Sequence, residues 1–143
     1  DMEMLTALLE TEPALEPLPV PSENAYPEEV KIKVLADQYK PSKMPHSKIV
    51  AALDKKVRQS KLAMRFHRQT ETLCAGCHHH SPVGAPPTPC RACHEQAADE
   101  RGDKPGLRAA YHRQCMGCHQ QMKLDKALGC TDCHEEAAGE VSP

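Results

Sequence analysis

The chain has 143 residues, 18 basic and 20 acidic, giving a formal charge of −2, with 39% hydrophobic and 3% aromatic residues, 13 prolines and no tryptophan. A chain this short is at most one modest domain with attachments, and one phenylalanine and three tyrosines leave little from which to build an apolar core. The acidic excess of residues 69–143 disfavours nucleic-acid binding, and no apolar run approaches the roughly 18 residues that cross a bilayer.

The charges are segregated. Residues 1–30 hold eight acidic and no basic side chains, residues 31–68 eleven basic and two acidic, and residues 69–143 seven basic and ten acidic. The basic stretch is either a solvated face or a landing site for acidic groups. Met2, Leu5, Leu8 and Leu9 recur at helical spacing over Met2–Glu10. Glu12–Pro27 follows with Pro13, Pro17, Pro19, Pro21 and Pro27, a composition for extended, polyproline-like chain. Residues 1–29 thus read as an acidic, proline-rich arm that is free, wraps the basic segment or wraps a partner, and residues 30–143 as the domain it precedes.

Val30–Leu35 alternates with period two and predicts a short strand. Tyr39–Pro45 is expected to pair with it as an antiparallel ribbon, with Pro41 and Pro45 confining it to an edge. Ser47 is a candidate cap for a helix carrying Ile49, Val50, Leu53 and Val57 on one face. A second helix is expected from Ser60, with Leu62, Ala63 and Phe66 leading to His67. Ser81–Pro89 and Gly102–Gly106 break the chain, and Leu107–Gln114 predicts a third helix.

All eight cysteines fall in four copies of Cys-x-x-Cys-His: Cys74-Ala75-Gly76-Cys77-His78, Cys90-Arg91-Ala92-Cys93-His94, Cys115-Met116-Gly117-Cys118-His119 and Cys130-Thr131-Asp132-Cys133-His134. This is the attachment signature of c-type haem, in which two thiols bond the porphyrin and the adjacent histidine holds the iron. Zinc ribbons, iron–sulfur clusters and disulfide loops have no use for a histidine after every second cysteine. The sequence therefore predicts four haem c groups, bound through Cys74, Cys77, Cys90, Cys93, Cys115, Cys118, Cys130 and Cys133, with His78, His94, His119 and His134 as proximal ligands. Four porphyrins would supply the apolar bodies the polypeptide lacks, and the haem-free chain is expected to be unfolded.

Five histidines lie outside the motifs: His46, His67, His79, His80 and His112. Each iron has a sixth position, and five imidazoles suffice to fill four. Two imidazoles give a low-spin, low-potential haem, whereas a methionine sulfur raises the potential. Met44, Met64, Met116 and Met122 are the competing ligands, with packing against porphyrin as their simpler role.

Val30–Glu136 resembles the class III cytochromes c, the cytochrome c3 family of sulfate-reducing bacteria. The resemblance implies a mainly α and irregular fold, packed on haem, with few strands beyond the short N-terminal ribbon. It implies His79, directly after the first motif, as distal ligand of the second haem, and His112, just before the third motif, as distal ligand of the fourth. His46 and His67 would serve the first and third haems, in an order left open because 21 positions separate them. His80 is then the spare. Two residues between the cysteines in every motif, with the acidic balance, resemble the acidic type II branch and the c3-like subunits of larger membrane redox complexes.

On this reading the chain is an electron carrier and not an enzyme. Motif starts are 16, 25 and 15 residues apart, which crowds the haems. The resemblance implies electrons received from a periplasmic hydrogenase or formate dehydrogenase and passed to a membrane-bound oxidoreductase complex. The chain opens at Asp1 on an acidic stretch, and haem attachment takes place outside the cytoplasm, so a processed periplasmic protein is expected. The rivals are a permanent subunit of such a complex and a multihaem reductase. The latter needs an open iron, which the histidine surplus disfavours.

Overall fold

The computed structural model describes residues 2–11, 13, 15–16, 25–34, 38–82, 85, 87–125 and 128–137. Most of the proline-rich stretch 12–27, the end of the predicted strand at Leu35 and part of the break 81–89 lie outside these residues. The chain forms two compact units, residues 1–28 with 45–87 and residues 29–44 with 88–143.

The first unit is helical. Helix α1, Met2–Thr11, follows the apolar spacing expected for it. Helix α2, His46–Arg58, half-buries Val50, Leu53 and Val57 and leaves Ile49 at the exposed margin of the face. Ser47 is not its cap. The helix starts two residues earlier than that cap would give, with Pro45 at the N-cap, and the Ser47 amide and hydroxyl both donate to the Glu28 carbonyl, at 3.1 and 3.4 Å. Lys55, Lys56 and Arg58 lie in the last turn, where cations suit the negative end of the helix dipole. Helix α3, Lys61–Phe66, begins one residue after the expected start at Ser60, which instead caps it, its hydroxyl accepting from the Ala63 amide at 3.2 Å. Its buried residue is Met64, while Phe66 stays exposed. Helix α4, Thr70–Cys74, runs into the first motif. Helix α2 packs on α3 and α4, and α1 packs on α3.

The second unit contains the ribbon. Strand β1, Val30–Ile32, pairs antiparallel with β2, Ser42–Met44, in the register Val30↔Met44, Lys31↔Lys43 and Ile32↔Ser42. The period of two turns Lys31 and Lys43 out and half-buries Val30, Ile32 and Met44. Cys90–Ala92 form a 3-10 turn, helix α5 spans Leu107–Gln121 and helix α6 spans Cys130–Cys133. Helix α5 continues past Gln114 through the whole third motif.

Gly106 caps α5 at a close approach of backbones: a Cβ there would lie 2.8 Å from the Gln96 carbonyl oxygen and 2.9 Å from the Ala97 carbonyl carbon. The contact lets Leu107 donate its amide to Glu95 at 2.6 Å and bury its side chain. Leu107 and Met64 are the buried hydrophobic side chains among the described residues. The polypeptide supplies almost no core of its own. Among those residues no helix is long and apolar enough to cross a membrane, and the mainly helical and irregular fold with one two-stranded ribbon is as expected.

Candidate haem sites

Each motif is a single helical turn. The His78 amide donates to Cys74 at 2.7 Å, His94 to Cys90 at 2.9 Å and His134 to Cys130 at 2.9 Å, while Cys115–His119 sits inside α5. Positions i, i+3 and i+4 of a helix share a face, so two thiols and an imidazole emerge together. At the fourth motif the Asp132 carboxylate locks the turn by accepting from the Gly129 amide at 2.9 Å and the Leu128 amide at 3.2 Å. None of the eight cysteines is joined in a disulfide. Burial, with Glu71 nearby, pushes the Cys74 thiol up from its ordinary pKa; burial and Asp132 do the same to Cys133.

Two non-motif histidines face motif histidines. In the first unit the rings of His46 and His78 have centroids 6.3 Å apart, tilted by 49°. In the second, His112 and His134 lie 6.1 Å apart at 80°. A metal–imidazole bond of about 2 Å on each side, plus about 1 Å from each bonding nitrogen to its ring centre, separates two centroids by about 6 Å. Both pairs fit an iron held between them. Each also contains a buried nitrogen, His46 Nδ1 or His134 Nδ1, with no hydrogen-bond partner, and such a group calls for an explanation. Burial, then the neighbouring His46, holds the His78 imidazole below its ordinary pKa, toward the neutral form that ligates metal.

The other candidates are placed differently. His94 Nδ1 lies 2.9 Å from the Pro105 carbonyl, and an imidazole donating from Nδ1 presents the lone pair of Nε2 to a metal. His119 is half-buried on α5. His67 is exposed where α3 ends. His79 and His80 lie in the turn closed by Ser81 donating to the His78 carbonyl at 3.2 Å; their rings meet edge to face at 5.0 Å, and His80 takes a left-handed φ of 60°.

Sequence reasoning missed the tyrosines. Tyr26 packs on His46 with centroids 5.7 Å apart, and Tyr39 on His134 at 5.3 Å. Tyr111 meets Cys90 and Cys115, and burial followed by the Cys90 thiol pushes its hydroxyl up to about 12. The available signal was composition: in a chain with three tyrosines, each stands beside a motif or a histidine paired with one. Tyr39 is held there by backbone pairing, since Lys40 donates to Glu135 at 2.8 Å and Ala137 to Gln38 at 3.2 Å.

Comparison with known proteins agrees with this geometry. The sequence profile of the Class III cytochrome C family matches residues 41–134, a span holding all four motifs and all five other histidines. The high-molecular-weight cytochrome c of Nitratidesulfovibrio vulgaris is 50% identical over 118 residues, covering 80% of this chain and 22% of that protein. The nine-heme cytochrome c of Desulfovibrio desulfuricans is 42% identical over 114 residues, covering 78% and 35%. A solved structure of reduced nine-heme cytochrome c at pH 7.5 superposes with a TM-score of 0.76 at 37% identity, over 94% of this chain and 46% of that one. The chain spans 22% and 35% of the lengths of these two curated relatives.

Proposed function

We propose, from the premise that the chain belongs to the class III cytochrome c family, that it is a periplasmic electron carrier holding four haem c groups between paired histidines. Bound haem supplies one-electron chemistry at iron. The chain would attach it through the four cysteine pairs, and the irons would be held by His78, His94, His119 and His134 together with His46, His67, His79 and His112. Of the two orders left open for His46 and His67, the 6.3 Å ring pair favours His46 for the first haem, which leaves His67 for the third. Two neutral imidazoles per iron keep it low-spin and low in potential, with little rearrangement between oxidation states.

The observation that carries this reading is the pairing of a motif histidine with a non-motif one at a metal-bridging distance in each unit. Two histidines for each iron would leave no site for a substrate there, which favours a carrier over a reductase. Electrons would enter from a periplasmic hydrogenase or formate dehydrogenase and leave to a membrane-bound oxidoreductase complex. Low-temperature EPR of the fully oxidised protein, with spins counted per haem, tests this. Four low-spin ferric signals are expected, and a substantial high-spin signal in intact protein would move a reductase role to the front.

A second reading has its own support. The curated relatives are larger multihaem chains of which this one matches a part, so the four-haem domain also suits a permanent subunit or module of a redox complex. Gel filtration of protein purified from its native membrane fraction in mild detergent separates the two, because a module elutes with partner polypeptides and a free carrier elutes alone.

A further inference from the structure

Residues 46–68 carry seven basic side chains (Lys48, Lys55, Lys56, Arg58, Lys61, Arg65 and Arg68) against the single carboxylate of Asp54. Residues 1–16 carry five acidic side chains and no basic one. The two meet within the first unit, where α1 lies on α3.

The manner of that contact is informative. Lys61 Nζ reaches the Glu10 carbonyl at 3.5 Å, in the last turn of α1, where carbonyls lack helical partners and α1 has no cation of its own. Arg68 Nε donates to the Glu16 carbonyl at 3.0 Å. Both cations therefore hold the arm by its backbone. Beneath it the packing is loose: a cavity of about 110 Å³ remains between Leu9, Pro13 and Leu15 on one side and Arg58, Lys61 and Met64 on the other. Meanwhile Met4, Leu5 and Leu8 of α1 remain exposed, at 63%, 42% and 58%. A segment with few buried apolar contacts and a void under it opens at low cost.

Four of these cations lie on α2, three of them in its last turn, and the same helix leads at its other end to a candidate electron port. Helix α2 begins at His46, whose ring faces His78 at 6.3 Å. We propose that the acidic arm is a displaceable cover: an acidic redox protein docks on the α2–α3 surface of the unit that carries the first motif, and the arm competes with it for that surface. The proposal rests on the electron-carrier reading only for the purpose of docking. The competition itself is a matter of charge and packing.

The test measures binding of fluorescently labelled poly-L-glutamate to the full haem-loaded chain and to a variant lacking residues 1–16, at low salt. The truncated protein is expected to bind at least about fivefold more tightly, the lower end of ordinary coupling between sites. Leu9→Ser in the full chain, which loosens the arm without removing charge, should shift affinity in the same direction and carries the test should truncation impair haem loading. Both differences should vanish near about 0.5 M salt, where screening acts within a few Å. Equal affinity with and without the arm would overturn the proposal. So would weaker binding on truncation, which would make the arm part of the docking surface. Because binding is read without electron transfer, an open iron found by EPR would sink the carrier reading and leave this result intact.

Discussion

The two histidine pairs have nearly the same separation, 6.3 and 6.1 Å, but are assembled from unlike parts. In the first unit the non-motif partner, His46, opens the 13-residue α2, which carries no motif. In the second, the non-motif partner His112 lies inside the 15-residue α5, which also holds Cys115, Cys118 and His119. The tyrosine changes sides as well, packing on non-motif His46 in one unit and on motif His134 in the other. The motif half of each pair is set by a local helical turn. The other half is borrowed from the best-formed helix within reach, and where that helix carries a motif, two haem sites share one support.

The largest perturbation erases the comparison altogether. With Met64 and Leu107 as the buried hydrophobic side chains among the described residues, the haem-free chain should show no cooperative far-UV unfolding transition, as small metal domains fold only with metal. A two-state melt of haem-free protein would show that each unit folds on its own side chains.

A helix-breaking proline separates the units next. Proline in a helix interior costs about 3 kcal/mol or more. Ala52→Pro in α2 should disturb one haem, and Arg113→Pro in α5 should disturb two, counted as EPR or redox transitions that move. Equal counts would mean that α5 does not support both sites. Milder substitutions test the ligands one at a time. His46→Ala and His112→Ala should each convert one haem from low-spin to high-spin, with a rise in that haem's potential on the order of 100 mV, within the range axial ligands command. Either variant leaving four low-spin haems would remove that histidine from the ligand set.

Much of this was legible in the sequence, and the exceptions have physical causes. The motifs, the ribbon and a helix beginning near Ser60 follow from local spacing. Helix α5 overruns its expected end at Gln114 because Cys-x-x-Cys-His, with ligands at i, i+3 and i+4, is itself a helical turn and carries the helix on to Gln121. Ser47 fails as a cap because its amide and hydroxyl are claimed by Glu28, 19 positions away. In α3, Phe66 is 70% exposed and Met64 takes the buried place, which helical spacing alone did not single out. The seat of Tyr39 beside His134 depends on pairing between residues 38–40 and 135–137. At Ser47 and Tyr39 a long-range contact outweighed a local preference.

The smallest effect concerns the ion pairs, which repeat the contrast between the units. Asp54 and Arg58 in the first unit are an i,i+4 pair within α2. Lys40 and Glu135 in the second unit join segments 95 positions apart, next to the Tyr39 pairing that flanks His134. The Lys40 hydrogen bond, then its charge, with a smaller contribution from Lys43, holds the Glu135 carboxyl below its ordinary range. A carboxylate with a depressed folded pKa contributes stability above its unfolded value, near about 4.3, and loses it as pH falls through the lower folded value. The pair is well exposed, so the contribution is small and screened by salt. Lys40→Ala should therefore lower the stability of the haem-loaded protein slightly at neutral pH, with the difference from wild type closing as pH falls through the acid range. In high salt the difference should be absent at every pH. A Lys40→Ala deficit that persisted in both acid and salt would assign the effect to the uncharged stem of the lysine, since the variant keeps the Lys40–Glu135 backbone bond, and the charge would be incidental to holding the fourth motif.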